Sequence, residues 1–307
     1  MEKEVIVFGH KNPDTDSICS SIVHSILDQK NGWKTKPVRL GKINKETQFV
    51  LDYLKVEAPE LIEKVEEGQE VLLVDHANFD QSVEGIEKAK ILGVTDHHNI
   101  SNFRTADPLY YLAKPYGCTA TILYEEFKRL GHTIKQKEAI LMASAIISDT
   151  LLLKSPTTTK QDKQALEELA KIAQIEVNTY GLAMLKAGTC LDEFTAEGLI
   201  NIDAKEFEKA GTRYEIAQVN TVDIESVLKR ENELKEVIRN TIEKKGLSLF
   251  VLAITDILNS NSEIIALGEK ASVIKVAFGK DLVEDKAFLE GVVSRKKQLL
   301  PDIDKNI

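Results

Sequence analysis

Three short, continuously apolar runs constrain this chain more than any other feature: Val5-Ile6-Val7-Phe8, Val71-Leu72-Leu73-Val74 and Ile91-Leu92-Gly93-Val94. Runs without polar alternation read as strands buried on both faces, the pattern of a parallel sheet covered by helices. Helix-period segments lie between and after them. Following Ser17, the residues Ile18, Ile22, Val23, Ile26 and Leu27 share one helical face until Asn31-Gly32 stops it. Residues 119–130 form a second candidate helix, closed by Gly131. Residues 138–148 (EAILMASAIIS) are apolar nearly all round, as suits a buried helix. Thr157–Thr159 can cap a helix over 160–173, with Asp162 in a capping-box position. Strands alternating with helices predict an α/β fold whose N-terminal domain has a mainly parallel sheet flanked by helices.

A chain of 307 residues is long enough for two domains. The texture changes at Lys186-Ala187-Gly188-Thr189-Cys190, giving an expected division into 1–187, a linker over 188–191, and 192–307. The second part reads as a strand near 213–219, a long charged helix over 223–245, strands at 247–255, 263–267 and 273–278, and a basic segment at 290–298. This is the pattern of a smaller C-terminal α/β domain with a mixed sheet.

Composition narrows the function classes. A net charge of −9 argues against a nucleic-acid binder, which carries a basic footprint. Cys19, Cys118 and Cys190 are odd in number and lack CxxC spacing, which fits free thiols in a reducing compartment. The N-terminal MEKEVIVFGH is too acidic for a signal peptide, and no apolar stretch approaches the ~18 residues of a membrane span. A cytoplasmic protein without membrane partners is expected.

The strand ends carry the chemistry. The first run leads to Gly9-His10 and then Asp14 and Asp16, the second to Asp75-His76, and the third to Asp96-His97-His98. In an open parallel sheet, ligands bind outside the carboxyl ends of the strands, so these clusters converge there. Ser148-Asp149-Thr150, ending the apolar helix, can reach the same edge. A lone aspartate after a strand is commonly a turn former or a cap, and Asp16 could serve only that purpose. Three such loops together are harder to explain structurally, because crowded carboxylates repel unless cations neutralise them. Carboxylate and imidazole without thiolate suit Mn2+ or Mg2+. The ligands exceed the needs of one ion, and a shared carboxylate would set two ions about 3.5–4 Å apart, as used for phosphoryl displacement. His24, His132 and the three cysteines fit no cluster and are expected at the surface.

Positive side chains for an anion come from the second half, in Ser294-Arg295-Lys296-Lys297-Gln298 and Lys205. Arginine offers a planar fork for phosphate oxygens and lysine a compact charge. By itself such a patch is more often solvated surface.

The chain resembles the family II, manganese-dependent inorganic pyrophosphatases of the DHH phosphoesterase superfamily along essentially its whole length. The resemblance rests on GHKNPDTDSI, LLVDHANFDQS, VTDHHN, PYGCTATILYEEF, ISDTLLLKSPTTT, NIDAKEFEKAG, LAITDILNSNSEIIALG and GVVSRKKQLLP, in that order. The DHH triplet alone indicates only the superfamily, whereas SRKKQ joined to DxKxF is far more specific. The resemblance implies hydrolysis of inorganic pyrophosphate to two phosphates, by hydroxide formed from a water bridging two Mn2+ (or Co2+) ions, with Mg2+ entering with the substrate. It assigns His10, Asp14 and Asp75 to one ion, and Asp16, Asp75, His97 and Asp149 to the other. His98, Lys205, Arg295 and Lys296 would bind the diphosphate, with Gln81 near the attacking water. The resemblance also implies a metal-binding DHH domain, a C-terminal substrate-binding domain that closes on a hinge, and a homodimer formed through the N-terminal domain. His76 and Asp96 are expected to orient ligands. One departure is visible: Ala77-Asn78-Phe79-Asp80 stands where Asn-Glu-Phe-Gln would be expected. A related DHH enzyme acting on polyphosphate or short nucleotides is the nearest alternative. Nucleotide substrates call for stacking aromatics and a glycine-rich C-terminal motif; aromatics are only 6% and that motif is missing. A metal- or phosphate-binding regulator is the other alternative, and such proteins typically lose ligands that are all filled here.

Overall fold

A computed structural model describes residues 4–307, which divide into two compact units, the first ending at Gly188 and the second running Thr189–Ile307. In chain order the first unit contains β1 (Val5–Phe8), α1 (Thr15–Lys30), β2 (Thr35–Arg39), α2 (Lys45–Leu54), β3 (Glu60–Leu61), β4 (Glu70–Val74), β5 (Lys90–Asp96), β6 (Tyr110–Ala113), α3 (Thr119–Arg129), α4 (Gln136–Thr150), α5 (Lys160–Ala173) and α6 (Val177–Gly188). Its six strands form one parallel sheet in the order β3-β2-β1-β4-β5-β6.

The uninterrupted apolar runs have the predicted consequence. Phe8, Val71, Leu73 and Val94 pack on one face of the sheet, while Val5, Val7, Leu72 and Val74 pack on the other. Both faces are dry, so no polar alternation is tolerated. Helix α4 is buried along Ala139–Ile147, in keeping with its unbroken apolar sequence. Helix α5 begins with the expected capping box, in which the Thr159 hydroxyl accepts the Asp162 amide and the Asp162 carboxylate accepts the Thr159 amide. Such caps are worth about 0.5–2 kcal/mol.

Strand β1 pairs with β2 on one side and β4 on the other, so the direction of strand progression reverses between β1 and β4. The crevice beyond their carboxyl ends is the switch point where open α/β sheets bind ligands. Gly9 is what lets the chain turn there. A β-carbon on Gly9 would lie 1.8 Å from Ser17 Oγ and 3.0 Å from Ser17 Cα, so only glycine lets β1 end hard against α1.

The second unit contains α7 (Ala196–Asn201), β7 (Ala204–Lys209), β8 (Thr212–Thr221), α8 (Ile224–Leu228), α9 (Glu231–Lys245), β9 (Leu249–Asp256), β10 (Asn261–Leu267), α10 (Val273–Phe278), β11 (Lys286–Glu290) and α11 (Leu300–Asn306). Its sheet runs β11-β10-β9-β8-β7, with β8 and β9 parallel and the other pairs antiparallel, which makes it mixed as expected. One apolar cluster lies under α7 and α9, and another under α10 and α11.

Two expectations fail in this unit. Residues 273–278 form helix α10, not a strand. Their six residues (VIKVAF) are too few to separate the two periods, and as a helix they bury Val273 and Ile274 while leaving Val276 69% exposed. The place beside β10 is filled instead by β11, whose five residues KAFLE bury only Ala287 and Leu289 and carry no apolar run. The charged helix over 223–245 is two helices, α8 and α9, parted at Lys229-Arg230. Strands β2 and β6 carry weaker signals, since Lys36-Pro37 interrupts β2 and Tyr110–Ala113 is a short, half-exposed strand at the sheet edge.

Candidate metal centre

The loops after β1, β4 and β5 and the end of α4 bring six predicted side chains together. Ligand atoms of His10, Asp14 and Asp75 lie within 4.8 Å of one another, as do those of Asp16, Asp75, His97 and Asp149. Asp75 belongs to both groups. It is 1% exposed and sits at the first residue after β4 with φ of 60°, a left-handed conformation that aspartate tolerates better than most residues. The Asp75 amide donates to the Thr95 carbonyl at 2.9 Å, which ties the turn to β5. The Thr119 hydroxyl donates to Asp75 Oδ1 at 3.0 Å.

Asp14 and Asp16 sit two residues apart but have different local duties. Asp14 caps α1, accepting the Ser17 amide at 2.9 Å. Asp16 lies inside the first turn and is fully buried. It accepts the amides of Thr119 and Ala120 at 2.6 and 3.2 Å, and the Ser20 hydroxyl at 2.6 Å. The capping role considered for Asp16 is therefore real, but the helix it caps is α3.

The imidazoles are set by bonds on their far sides. His97 donates from Nδ1 to the Tyr116 carbonyl at 2.9 Å, leaving Nε2 at 3.5 Å from Asp75 Oδ1 and 3.7 Å from Asp149 Oδ2. This is the usual way a ligating histidine is oriented. His10 Nε2 lies 3.5 Å from Asp14 Oδ2 and 3.4 Å from Asp75 Oδ2. His98, 47% exposed in its side chain, engages Asp96 at 3.0 Å through Nδ1, so Asp96 orients a residue assigned to the diphosphate, where a metal ligand is expected. His98 also groups with Asp75 and His97 as a possible third ligand set. His76 differs from expectation. Its ring nitrogens are both taken, by the Val74 carbonyl at 2.9 Å and the Ser82 hydroxyl at 3.1 Å, and neither is free to orient a ligand.

The charge balance shows what the cluster lacks. Burial raises the Asp16 carboxyl to about 6, with the Asp75 charge adding to it. Burial also pushes Asp149 well above the carboxylate range, reinforced by Asp16, Asp75 and Asp14. Burial would raise Asp75 too, but the His10 and His97 imidazoles facing it outweigh that and hold this carboxyl below its ordinary value. Conversely, burial disfavours charge on His10 and His97, yet the adjoining carboxylates lift them to about 10 and about 9. Asp75 Oδ2 remains a buried oxygen with no hydrogen-bond donor. Repelling carboxylates, imidazoles aimed inward and an orphaned acceptor are the conditions that bound cations relieve. An all-oxygen and imidazole donor set fits Mn2+ or a similar ion.

Other predicted residues lie apart from this cluster in the chain. Gln81 is exposed, in the short turn Phe79–Gln81, and its carbonyl accepts the Lys11 amide at 2.8 Å next to His10. The unexpected Asn78 and Asp80 support the same turn: Asn78 Oδ1 accepts the Asp80 amide, and Asp80 accepts from Asn102, both at 2.9 Å. In the second unit, Lys205 is on β7 and Arg295 and Lys296 open a wide helical turn, Arg295–Leu299. Arg295 is held by Asp203 at 2.8 Å.

Glu46, from α2, had no role in the sequence reading. Its Oε1 accepts the Thr15 hydroxyl at 2.7 Å and that of Ser148, bridging the residue between Asp14 and Asp16 to the neighbour of Asp149. No spacing rule could have singled it out, nor Thr119. Three surface assignments need correction. Cys19 and Cys118 are fully buried, and His24 is largely covered, bonded to Asp28 at 2.7 Å and Thr95 at 3.1 Å. Cys19 and His24 lie on the inner side of α1, and Cys118 is the extended residue that precedes α3.

Known proteins share this arrangement of sequence and fold. The DHH family N-terminal domain matches residues 4–146 and the DHHA2 domain matches residues 182–306. A protein of an Exiguobacterium strain named "Probable manganese-dependent inorganic pyrophosphatase" is 54% identical over 97% of this chain and 96% of its own. One of the same name from Bacillus cereus (strain G9842) is 52% identical over 98% and 97%. A solved Methanococcus jannaschii protein, described as a "putative family II inorganic pyrophosphatase", is 38% identical and covers 99% of both chains with a TM-score of 0.62.

Proposed function

Because the chain belongs to the manganese-dependent, family II inorganic pyrophosphatases, we propose that it hydrolyses inorganic pyrophosphate to two phosphates at the cluster around Asp75. The observation that carries this reading is the membership of buried Asp75 in both ligand groups. One divalent ion, Mn2+ or Co2+, would be held by His10, Asp14 and Asp75, and a second by Asp16, Asp75, His97 and Asp149. Bound there, such a pair supplies a water acidic enough to ionise near neutral pH and neutralises charge on phosphate oxygens.

The remaining work falls to this chain's own side chains. Phosphoryl transfer passes through a loose transition state, so positioning and charge stabilisation dominate its catalysis. His98, partly exposed and made more basic first by its bond to Asp96, can bind a phosphate oxygen or return a proton to the leaving phosphate. Lys205, Arg295 and Lys296 bind the diphosphate, Arg295 through the guanidinium N–H groups not spent on Asp203. Gln81 orients the attacking water, and Mg2+ enters with the substrate. The division at 188–191 acts as a hinge, and two chains pair through the N-terminal domain in the cytoplasm. Among the described residues no helix is long and apolar enough to cross a membrane.

Phosphate release from pyrophosphate, with and without Mn2+, tests the proposal against tripolyphosphate and a dinucleotide. Mn2+-dependent turnover of pyrophosphate above the other two is expected. No turnover by the metal-loaded protein would overturn it, and preference for tripolyphosphate or the dinucleotide would move the chain to another DHH activity.

A further inference from the structure

The anion-binding role given to Arg295 and Lys205 requires two separate segments to be held in one geometry, and a single side chain lies between them. Gln218 is on β8, half-buried, next to the start of β7. Its backbone amide donates to the Asp203 carbonyl at 3.0 Å, one step beyond the β7–β8 pairing of Ala204 with Ala217. The same carbonyl accepts from the Arg295 guanidinium, whose other arm meets Asp203 Oδ1 at 2.8 Å. Gln218 Oε1 accepts the Arg295 backbone amide at 3.0 Å, across 77 positions of sequence. Gln218 Nε2 donates to the Val293 carbonyl at 2.9 Å and to the Thr255 hydroxyl at 3.0 Å. An amide nitrogen has two hydrogens, so these shorter contacts use both, and Asn220 Oδ1 at 3.3 Å is left over.

The orientation of this amide is determined by its partners. A flipped amide would put oxygen against the Val293 carbonyl and N–H against the Arg295 N–H, losing both bonds at once. Gln218 therefore grips the chain on both sides of Ser294, while Gln298 shapes the segment only from within, accepting the Val293 and Ser294 amides at 2.9 and 3.1 Å. Together with the Arg295–Asp203 bonds, those of Gln218 tie the basic turn to the sheet beside the strand that carries Lys205.

We propose that Gln218 is a positioning residue for the reaction: through the Arg295 amide and the Val293 and Asp203 carbonyls it sets Arg295 at a fixed distance from the Lys205 strand. This rests on the reading that Arg295 binds pyrophosphate. An anion site whose donors sit about 1 Å out of place can lose on the order of 100-fold in rate. Neither carboxylate nor hydrocarbon can replace the amide. Glutamate has no N–H for Val293, and methionine has no donor and only a weak thioether acceptor while filling nearly the same space.

The test is a double-mutant cycle on the full-length protein with Gln218→Met, Arg295→Ala and the pair, reading kcat and KM for pyrophosphate and Mn2+ affinity by calorimetry. Gln218→Met is expected to lower kcat/KM about tenfold or more, with Mn2+ binding unchanged. In the Arg295→Ala background it should have little further effect, because the group it positions is gone. A general structural defect would instead add in full to the Arg295→Ala loss. Full additivity, or no loss from Gln218→Met while Arg295→Ala is impaired, overturns the inference alone. Unimpaired Arg295→Ala overturns the underlying assignment of Arg295, and this inference with it. Should Gln218→Met unfold, Gln218→Glu provides the same cycle, since it keeps the acceptor for the Arg295 amide and loses the N–H donors to Val293 and Thr255.

Discussion

The carboxylate of Asp16 accepts the backbone amide of Thr119 at 2.6 Å across 103 positions, joining the first turn of α1 to the first turn of α3. A carboxylate at a helix N-terminus is stabilised by the unpaired amides there. The same residue belongs to the Asp75–His97–Asp149 group, so one side chain serves both the fold and the candidate centre.

Asp16→Ala should cost stability even where no metal is bound. It leaves the Thr119 and Ala120 amides and the Ser20 hydroxyl without their acceptor, a loss of about 1–3 kcal/mol for a buried unsatisfied group. Urea unfolding of metal-free protein at pH 5 is the suitable measurement. At that pH Asp16, raised to about 6 by burial and by Asp75, is mostly neutral, so relief of charge repulsion does not mask the effect. An unchanged midpoint, with the two amides still protected from hydrogen exchange, would contradict the anchoring role.

Asp75→Asn should weaken both cation sites together, because Asp75 is in both ligand groups. Asparagine accepts the left-handed backbone at this position, so the turn should survive. Calorimetric titration with Mn2+ separates the cases, and loss of one ion with the other intact would rule out the bridging arrangement.

Without metal, stability should fall as pH rises from about 6.5 to 10. Against the effect of burial, His10 is lifted by Asp14 and Asp75 to about 10, and His97 by Asp75 and Asp16 to about 9. Their contribution is complete below the unfolded imidazole value and vanishes as pH passes their folded values. Asp16, raised by burial, acts in the same direction at lower pH, and Asp75, held low, contributes above its unfolded value and is lost only in acid. Saturating Mn2+ should remove the alkaline decline and displace protons on binding. Calorimetry near pH 7.5 in buffers of different ionisation enthalpy would detect that release; identical heats would exclude it.

Glu46→Ala should weaken Mn2+ binding, while Glu46→Gln should largely preserve it. Both hydroxyl bonds, from Thr15 and Ser148, end on one oxygen, Oε1, which glutamine retains. Equal weakening in the two variants would show that charge, and not the bridge between α1 and α4, is what matters.

The parallel sheet and the aspartate-histidine strand ends were legible in the chain because both are written in neighbouring residues. Fully buried strands need unbroken apolar runs, and a turn at a strand end places its polar residues at the sheet edge. The basic SRKKQ turn was visible for the same local reason. Residues 273–278 satisfy either period, because five apolar residues around Lys275 are too few to separate them, and only packing against α11 decides it.

The sequence by itself therefore determined which residues stand at the sheet edge and which chemistry they carry. Tertiary structure decided how they are shared out: that Asp14 caps its own helix while Asp16 caps α3, that Asp75 faces two groups, and that Gln218 and Asp203 hold Arg295. Periodicity and turn chemistry act over a few residues. Hydrogen bonds spanning 77 or 103 positions exist only once helices and sheet have packed, and no local pattern encodes them.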